Sequence, residues 1–256
     1  PPPPPASDGP SVFVHPGCVA QVIAGSANRN SEAALRAAGY RIAPAAQAAC
    51  CGALDLHSGN RDRAIRFARA NVRALSASGA TAIVSTGSGC SVAMAEYGDL
   101  LKDDCELAAA ARDVSSRVTD LSSLILKTPL SVGGDPNRTI SVAYHDACHL
   151  AHGLGVREPP RKLLQSIPGV RLIELAESDF CCGSAGSYNL TEPEMARALV
   201  ARKVDNIIAT GADYVVMANV GCQFQIAAEL RRRNAKTQAI HLADFLALAT
   251  QRQRDA

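Results

Sequence analysis

"CCGALDLHSG" at residues 50–59 and "CCGSAGSYNL" at residues 181–190 each set two adjacent cysteines before a glycine. Two such stretches in one chain point to an internal repeat, and the remaining cysteines test it. Cys18, Cys50, Cys51 and Cys90 recur as Cys148, Cys181, Cys182 and Cys222, at offsets of 130, 131, 131 and 132 residues. Other residues follow the same offset. "GATAIVSTGSGC" ending at Cys90 aligns with "GADYVVMANVGC" ending at Cys222. His15 precedes Cys18 as His145 precedes Cys148, and His57 and Tyr188 take matching places after the paired cysteines. Of the nine cysteines only Cys105 lacks a mate, and it reads as an ordinary thiol.

Each half also repeats an order of elements. "SVFVH" (11–15) and "ISVAYH" (140–145) are apolar, β-branched runs ending just before the first cysteine. "TAIVS" (81–85) and "DYVVMA" (213–218) are near-continuous apolar runs, the pattern of strands covered on both faces. Helical patterns fall at 30–38 and 61–77 in the first half, and at 161–166 and 193–210 in the second, with Thr191 as an N-cap. Strands alternating with helices predict an α/β fold of two tandem, duplicated Rossmann-like domains with parallel sheets. The boundaries are a Pro-rich tail at 1–10, a first domain at 11–126, a linker at 127–139, a second domain at 140–250 and a tail at 251–256. Ligands of such sheets collect beyond the carboxyl ends of the strands, where Cys18, Cys90, Cys148 and Cys222 fall. Gly52 and Gly183 permit tight turns over the same edge.

Composition narrows the function. A net charge of +2 is too small to imply a nucleic-acid partner. The run Arg231–Arg233 reads as the solvated end of a helix. No apolar run reaches the ~20 residues of a membrane span, and the opening prolines are not a secretory signal. "PPPPPASDGP" reads as a linker whose upstream part is missing. Cysteines in a chain without an export signal suit a reducing cytoplasm, where metal binding or redox chemistry outweighs structural disulfides. There is no G-x-S-x-G elbow, G-x-G-x-x-G or P-loop, so no catalytic residues are assigned.

Buried packing explains one or two cysteines, but not a duplicated set of four at strand ends. All-thiolate sets select zinc, copper(I) or iron–sulfur clusters. Zinc sites draw their cysteines in C-x₂₋₄-C pairs, whereas adjacent cysteines, with Cα atoms about 3.8 Å apart, diverge. A cluster suits that divergence better, because separate iron atoms each take one thiolate; zinc stays open for either site. His15 and His145 either donate to the sulfurs and tune the centre or satisfy strand-end carbonyls. His149 and His152 have no counterparts in the first half and read as local hydrogen-bonders.

At these residues the sequence resembles the cysteine-rich CCG-domain family, which includes iron–sulfur subunits of glycolate oxidase, the CCG-bearing chain of heterodisulfide reductase, and lactate-utilisation iron–sulfur proteins. "YHDACHLAHG" (144–153), "PPRKLL" (159–164), "CCGSAGSYNL" and "ANVGCQFQI" (218–226) look like the second CCG domain of the glycolate oxidase proteins; "HPGC" (15–18), "CCGALDLHSG" and "GSGC" (87–90) look like the first. Two departures matter. The ferredoxin-like C-x₂-C-x₂-C-x₃-C-P runs of those proteins are missing, and Gly87 and Asn219 stand where heterodisulfide reductase relatives carry a fifth cysteine. The resemblance therefore implies four-thiolate sites holding iron–sulfur clusters of the 4Fe-4S type. The implied role is electron transfer from flavoprotein partner subunits that oxidise a 2-hydroxy acid, toward quinone, in the cytoplasm or at the inner face of the cell membrane. Two alternatives stand beside it: a zinc-stabilised assembly module of the same complex, and a thiol–disulfide reductase.

Overall fold

The computed structural model describes residues 9–44, 48–128 and 132–254. The expected proline-rich linker falls almost wholly outside them. The chain divides into two compact units, Pro1–Leu130 and Ser131–Ala256.

The first unit is built on β1 (Ser11–His15), β2 (Arg41–Ile42) and β3 (Ala82–Ser85), all parallel, in the order β2-β1-β3. Its helices are α1 (Cys18–Ile23), α2 (Gly25–Ala37), α3 (Ala53–His57), α4 (Arg61–Ala77), α5 (Ser88–Ala95), α6 (Tyr97–Leu100), α7 (Ala108–Ser116) and α8 (Leu121–Ile125). The second unit holds β4 (Ile140–Tyr144), β5 (Val170–Ile173), β6 (Tyr214–Met217) and β7 (Gln238–His241), again all parallel, ordered β5-β4-β6-β7. A π-helical turn at His149–Gly153 follows β4. Then come α9 (Glu158–Gln165), α10 (Tyr188–Thr191), α11 (Pro193–Ala209), α12 (Val220–Arg232) and α13 (Leu242–Arg254). In the first unit a one-residue parallel bridge, Ile83 to Val118, is the counterpart of β7.

The expected parallel α/β architecture is present in both halves. β1 and β4 are buried along their whole length, as their unbroken apolar runs predict. Three short strands, β2, β5 and β7, lie outside the sequence expectation; each is largely half-exposed and gives no such run. Two helices start earlier than expected and one cap differs: α2 begins at Gly25 rather than at 30. α9 begins at Glu158 because Pro159 and Pro160 fit a first turn, where a missing N–H costs nothing. Thr191 is not the N-cap of α11: it closes α10, its hydroxyl donates to the Tyr188 carbonyl at 3.4 Å, and Glu192 stands at the cap.

Helices α4 and α11 reveal how deep the duplication runs. α4 buries Ala64, Ala68, Asn71, Val72 and Leu75, and α11 buries Ala196, Val200, Lys203, Val204 and Ile207, the same stripe displaced by 132 residues. The spacing is that of one apolar helix face turned to a sheet. Yet each stripe carries one polar residue, neutral Asn71 in one unit and cationic Lys203 in the other, both 0 % exposed.

A duplicated thiol site at the strand ends

The four cysteines of each half meet within their own unit. Cys18 opens α1 after β1, Cys90 lies in the first turn of α5 after β3, and Cys50 and Cys51 precede α3. Cys50 Sγ lies 3.8 Å from Cys18 Sγ, and Cys51 hydrogen-bonds with both Cys50 and Cys90. The sulfurs therefore run in the order Cys18–Cys50–Cys51–Cys90. The second unit repeats it: Cys181 contacts Cys148 and Cys182, and Cys182 contacts Cys222. Among the described residues all nine cysteines are free thiols, and Cys105 stands exposed.

Backbone turns aim the paired cysteines. Gly52 and Gly183 both adopt φ +81°, a left-handed conformation that a side chain disfavours. A Cβ on Gly52 would come 3.2 Å from the Ala64 Cα of α4, and one on Gly183 would come 2.5 Å from the Ala196 carbonyl of α11. Each CCG turn thus presses its glycine on the helix that carries the repeated stripe. The Gly52 and Gly183 amides then donate to Cys50 and Cys181 Sγ, at 3.5 and 3.3 Å.

Buried polar residues tie these turns down. Asn71 accepts from the Ala49 amide at 2.8 Å and donates to the Cys50 carbonyl at 2.9 Å, and the Tyr97 hydroxyl donates to the Cys51 carbonyl at 2.9 Å. Lys203 donates to the Glu177 and Ser178 carbonyls. The Arg161 guanidinium grips Asp146 through two bonds of 2.8 and 2.7 Å and lies over the Tyr144 ring. Sequence reading missed Asn71, Lys203 and this ion pair. The 132-residue offset was the signal for the first two, since it superimposes them on one helix face.

The histidines divide. His15 and His145 are both 1 % exposed at the ends of their strands. His15 Nε2 faces the Ala49 carbonyl at 3.0 Å, and its Nδ1 accepts from the Gly17 amide at 3.2 Å. His145 Nδ1 faces the Ser178 carbonyl at 3.1 Å. One ring nitrogen of His145 and the sulfurs of Cys182 and Cys222 all lie within 4.8 Å of one another, a group able to hold a metal ion. His57 lies exposed at the end of α3, and Tyr188 is half-buried at the start of α10. Local roles are visible for the other two: His149 Nδ1 is 3.8 Å from Cys148 Sγ, and His152 pairs with Arg157. Asn219 donates to Cys222 Sγ at 3.1 Å.

Electrostatics shows what the sulfurs lack. In the first set the hydrogen bond that Cys50 donates to Cys51, with burial, pushes the Cys50 thiol well above its usual range. The Cys50 contact pulls Cys51 down, but the Cys90 contact and burial prevail, and Cys51 is pushed up to about 12. In the second set the shifts alternate. The contact with Cys181 raises Cys148, contacts with Cys148 and Cys182 lower Cys181, the contact with Cys181 raises Cys182, and the contact with Cys182 lowers Cys222 against its burial. Neighbouring thiols thus share protons, because four adjacent thiolates repel one another. A cation that displaces those protons relieves the repulsion, so the donor sets fit a thiophilic metal centre.

The cysteine-rich CCG domain matches residues 12–95 and 142–227, once in each unit. The chain belongs to the CCG family. A probable glycolate oxidase iron–sulfur subunit of Bacillus subtilis is 34 % identical over 233 residues, covering 90 % of this CCG chain and 52 % of the relative. The glycolate oxidase iron–sulfur subunit of Escherichia coli is 34 % identical over 232 residues, covering 88 % and 56 %. The CCG chain spans about half the length of these two relatives. Lactate utilization protein A of Oceanobacillus iheyensis is 28 % identical over 232 residues, covering 90 % and 93 %.

Proposed function

We propose that this CCG chain is an iron–sulfur electron-transfer subunit of a complex that oxidises a 2-hydroxy acid such as glycolate. The carrying observation is the pair of four-sulfur chains, each closed within one unit at the carboxyl edge of a parallel sheet. Cys18, Cys50, Cys51 and Cys90 would hold one centre, and Cys148, Cys181, Cys182 and Cys222 the other. A bound iron–sulfur cluster supplies one-electron chemistry, with its potential set by thiolates, nearby hydrogen bonds and burial. The protein contributes the rest. Gly52 and Gly183 aim adjacent sulfurs, Asn219 donates to Cys222, and the buried polar clamps hold the backbone of the turns in place. Oxidation of the hydroxy acid belongs in this reading to flavoprotein partners, which pass electrons onward to quinone. No helix among the described residues is long and apolar enough to cross a membrane.

A second reading is favoured by one observation, the buried His145–Cys182–Cys222 group, whose mixed nitrogen and sulfur donors suit zinc. Metal analysis of protein purified without oxygen separates the two. Iron with acid-labile sulfide, and a visible absorbance bleached by dithionite, is the result expected for the electron-transfer role. Stoichiometric zinc without iron overturns it.

A further inference from the structure

The two duplicated histidines occupy one position in the repeat, but their tautomers are opposite. A backbone amide can only donate, so Nδ1 of His15, facing the Gly17 N–H, is an acceptor without a proton. Its proton therefore sits on Nε2 and goes to the Ala49 carbonyl. Both nitrogens of His15 are committed. A carbonyl can only accept, so Nδ1 of His145, facing Ser178, carries the proton. Its Nε2 is left with a bare lone pair, buried and facing the Cys222 thiol.

The surroundings explain the difference. In the first unit Gly17, at φ +62°, turns its amide back on the ring. In the second unit no glycine follows the histidine, and the Asp146 amide goes instead to the Ser178 carbonyl at 3.0 Å. That carbonyl also accepts from Lys203 at 3.2 Å. Ser178 is thereby fixed by three donors, and it holds the His145 ring in one orientation. With Nδ1 turned to Ser178, the nitrogen left for the sulfurs of Cys182 and Cys222 is Nε2.

We propose that His145 is a direct metal ligand through Nε2, so that the second unit binds its metal with mixed nitrogen and thiolate donors while the first uses thiolates alone. This rests on the metal reading of the second thiol set and assigns that set a donor which the first does not have. The Nδ1–H bond to a backbone carbonyl is the usual support of a metal-bound imidazole, fixing its tautomer and raising its basicity. A nitrogen donor in place of a thiolate also leaves the bound metal one negative charge poorer. The two centres of one chain then differ in metal preference and, for iron, in potential.

The test uses the full chain, reduced without oxygen and loaded with zinc alone, with the metal environment read by X-ray absorption. Wild-type protein should show an imidazole scatterer beside sulfur. H145A should lose it and weaken one zinc site about tenfold or more, whereas H15A should keep it. H145C, which offers sulfur in place of nitrogen, should hold zinc with a sulfur-only spectrum, so a folding defect in H145A does not decide the matter. A sulfur-only spectrum for the wild type overturns the proposal, as does a spectrum unchanged in H145A and H145C. Absence of zinc uptake also overturns it; iron and sulfide in protein purified without oxygen then decide separately whether the metal reading beneath it survives.

Discussion

Gly183 carries two demands at once, a left-handed backbone and an approach too close for any side chain. The G183A variant should lose about 2–5 kcal/mol of stability in urea unfolding. G52A shares the backbone angle, but its Cβ would meet Ala64 at a less severe 3.2 Å. It should lose about 1–3 kcal/mol, and the order of the two variants is the decisive comparison. The sequence placed glycine after each cysteine pair and allowed a tight turn there. It held no hint that α4 and α11 press on those glycines, because that contact joins residues distant along the chain.

At the scale of elements, α4 and α11 are one helix design with one polar position exchanged. Replacing Asn71 by alanine strands the Ala49 amide and the Cys50 carbonyl, both of which it serves. N71A should cost about 2–4 kcal/mol and should loosen metal held by the first unit alone, read as faster loss to a chelator. α12 supports a separate prediction. Its end is the solvated basic run expected, with Arg231 and Arg232 exposed, and Arg232 and Arg233 both donate to Glu229, at 2.6–2.7 Å. Those bonds, Arg232 first, hold the Glu229 carboxyl down to about 2. The folded-state value lies below the unfolded one, so the unfolded chain binds more protons between them. This contribution is complete above about pH 4.3 and is lost as pH falls toward 2. E229Q should therefore flatten the acid limb of a stability-against-pH curve relative to wild type. The long strands β1 and β4 and the helix α4 were legible because burial on both faces, or along one helix face, writes a period into the sequence. β2, β5 and β7 were not, since short half-exposed strands leave no such period.

For the molecule as a whole, the repeat was legible from the cysteines, and so was the grouping of thiols by half. What sequence left open was the chemistry around each group. The role of a histidine depends on which backbone group its ring meets, and only the folded chain sets Gly17 against one ring and Ser178 against the other. If each set closes within its own unit, then C50S/C51S and C181S/C182S should each remove about half of the bound metal, and the two losses should add. Loss of all metal from either double variant would mean that the sets do not fill independently.

One further difference between the halves concerns time rather than equilibrium. Cys18 is exposed, whereas its mate Cys148 is half-buried beside His149. Exposure of a thiolate governs how soon oxidants reach it. A preparation opened to air should therefore decay in two phases, the first unit shedding its metal ahead of the second. Shielding Cys18, by a partner or by substitution of its surroundings, should merge the two half-lives into one.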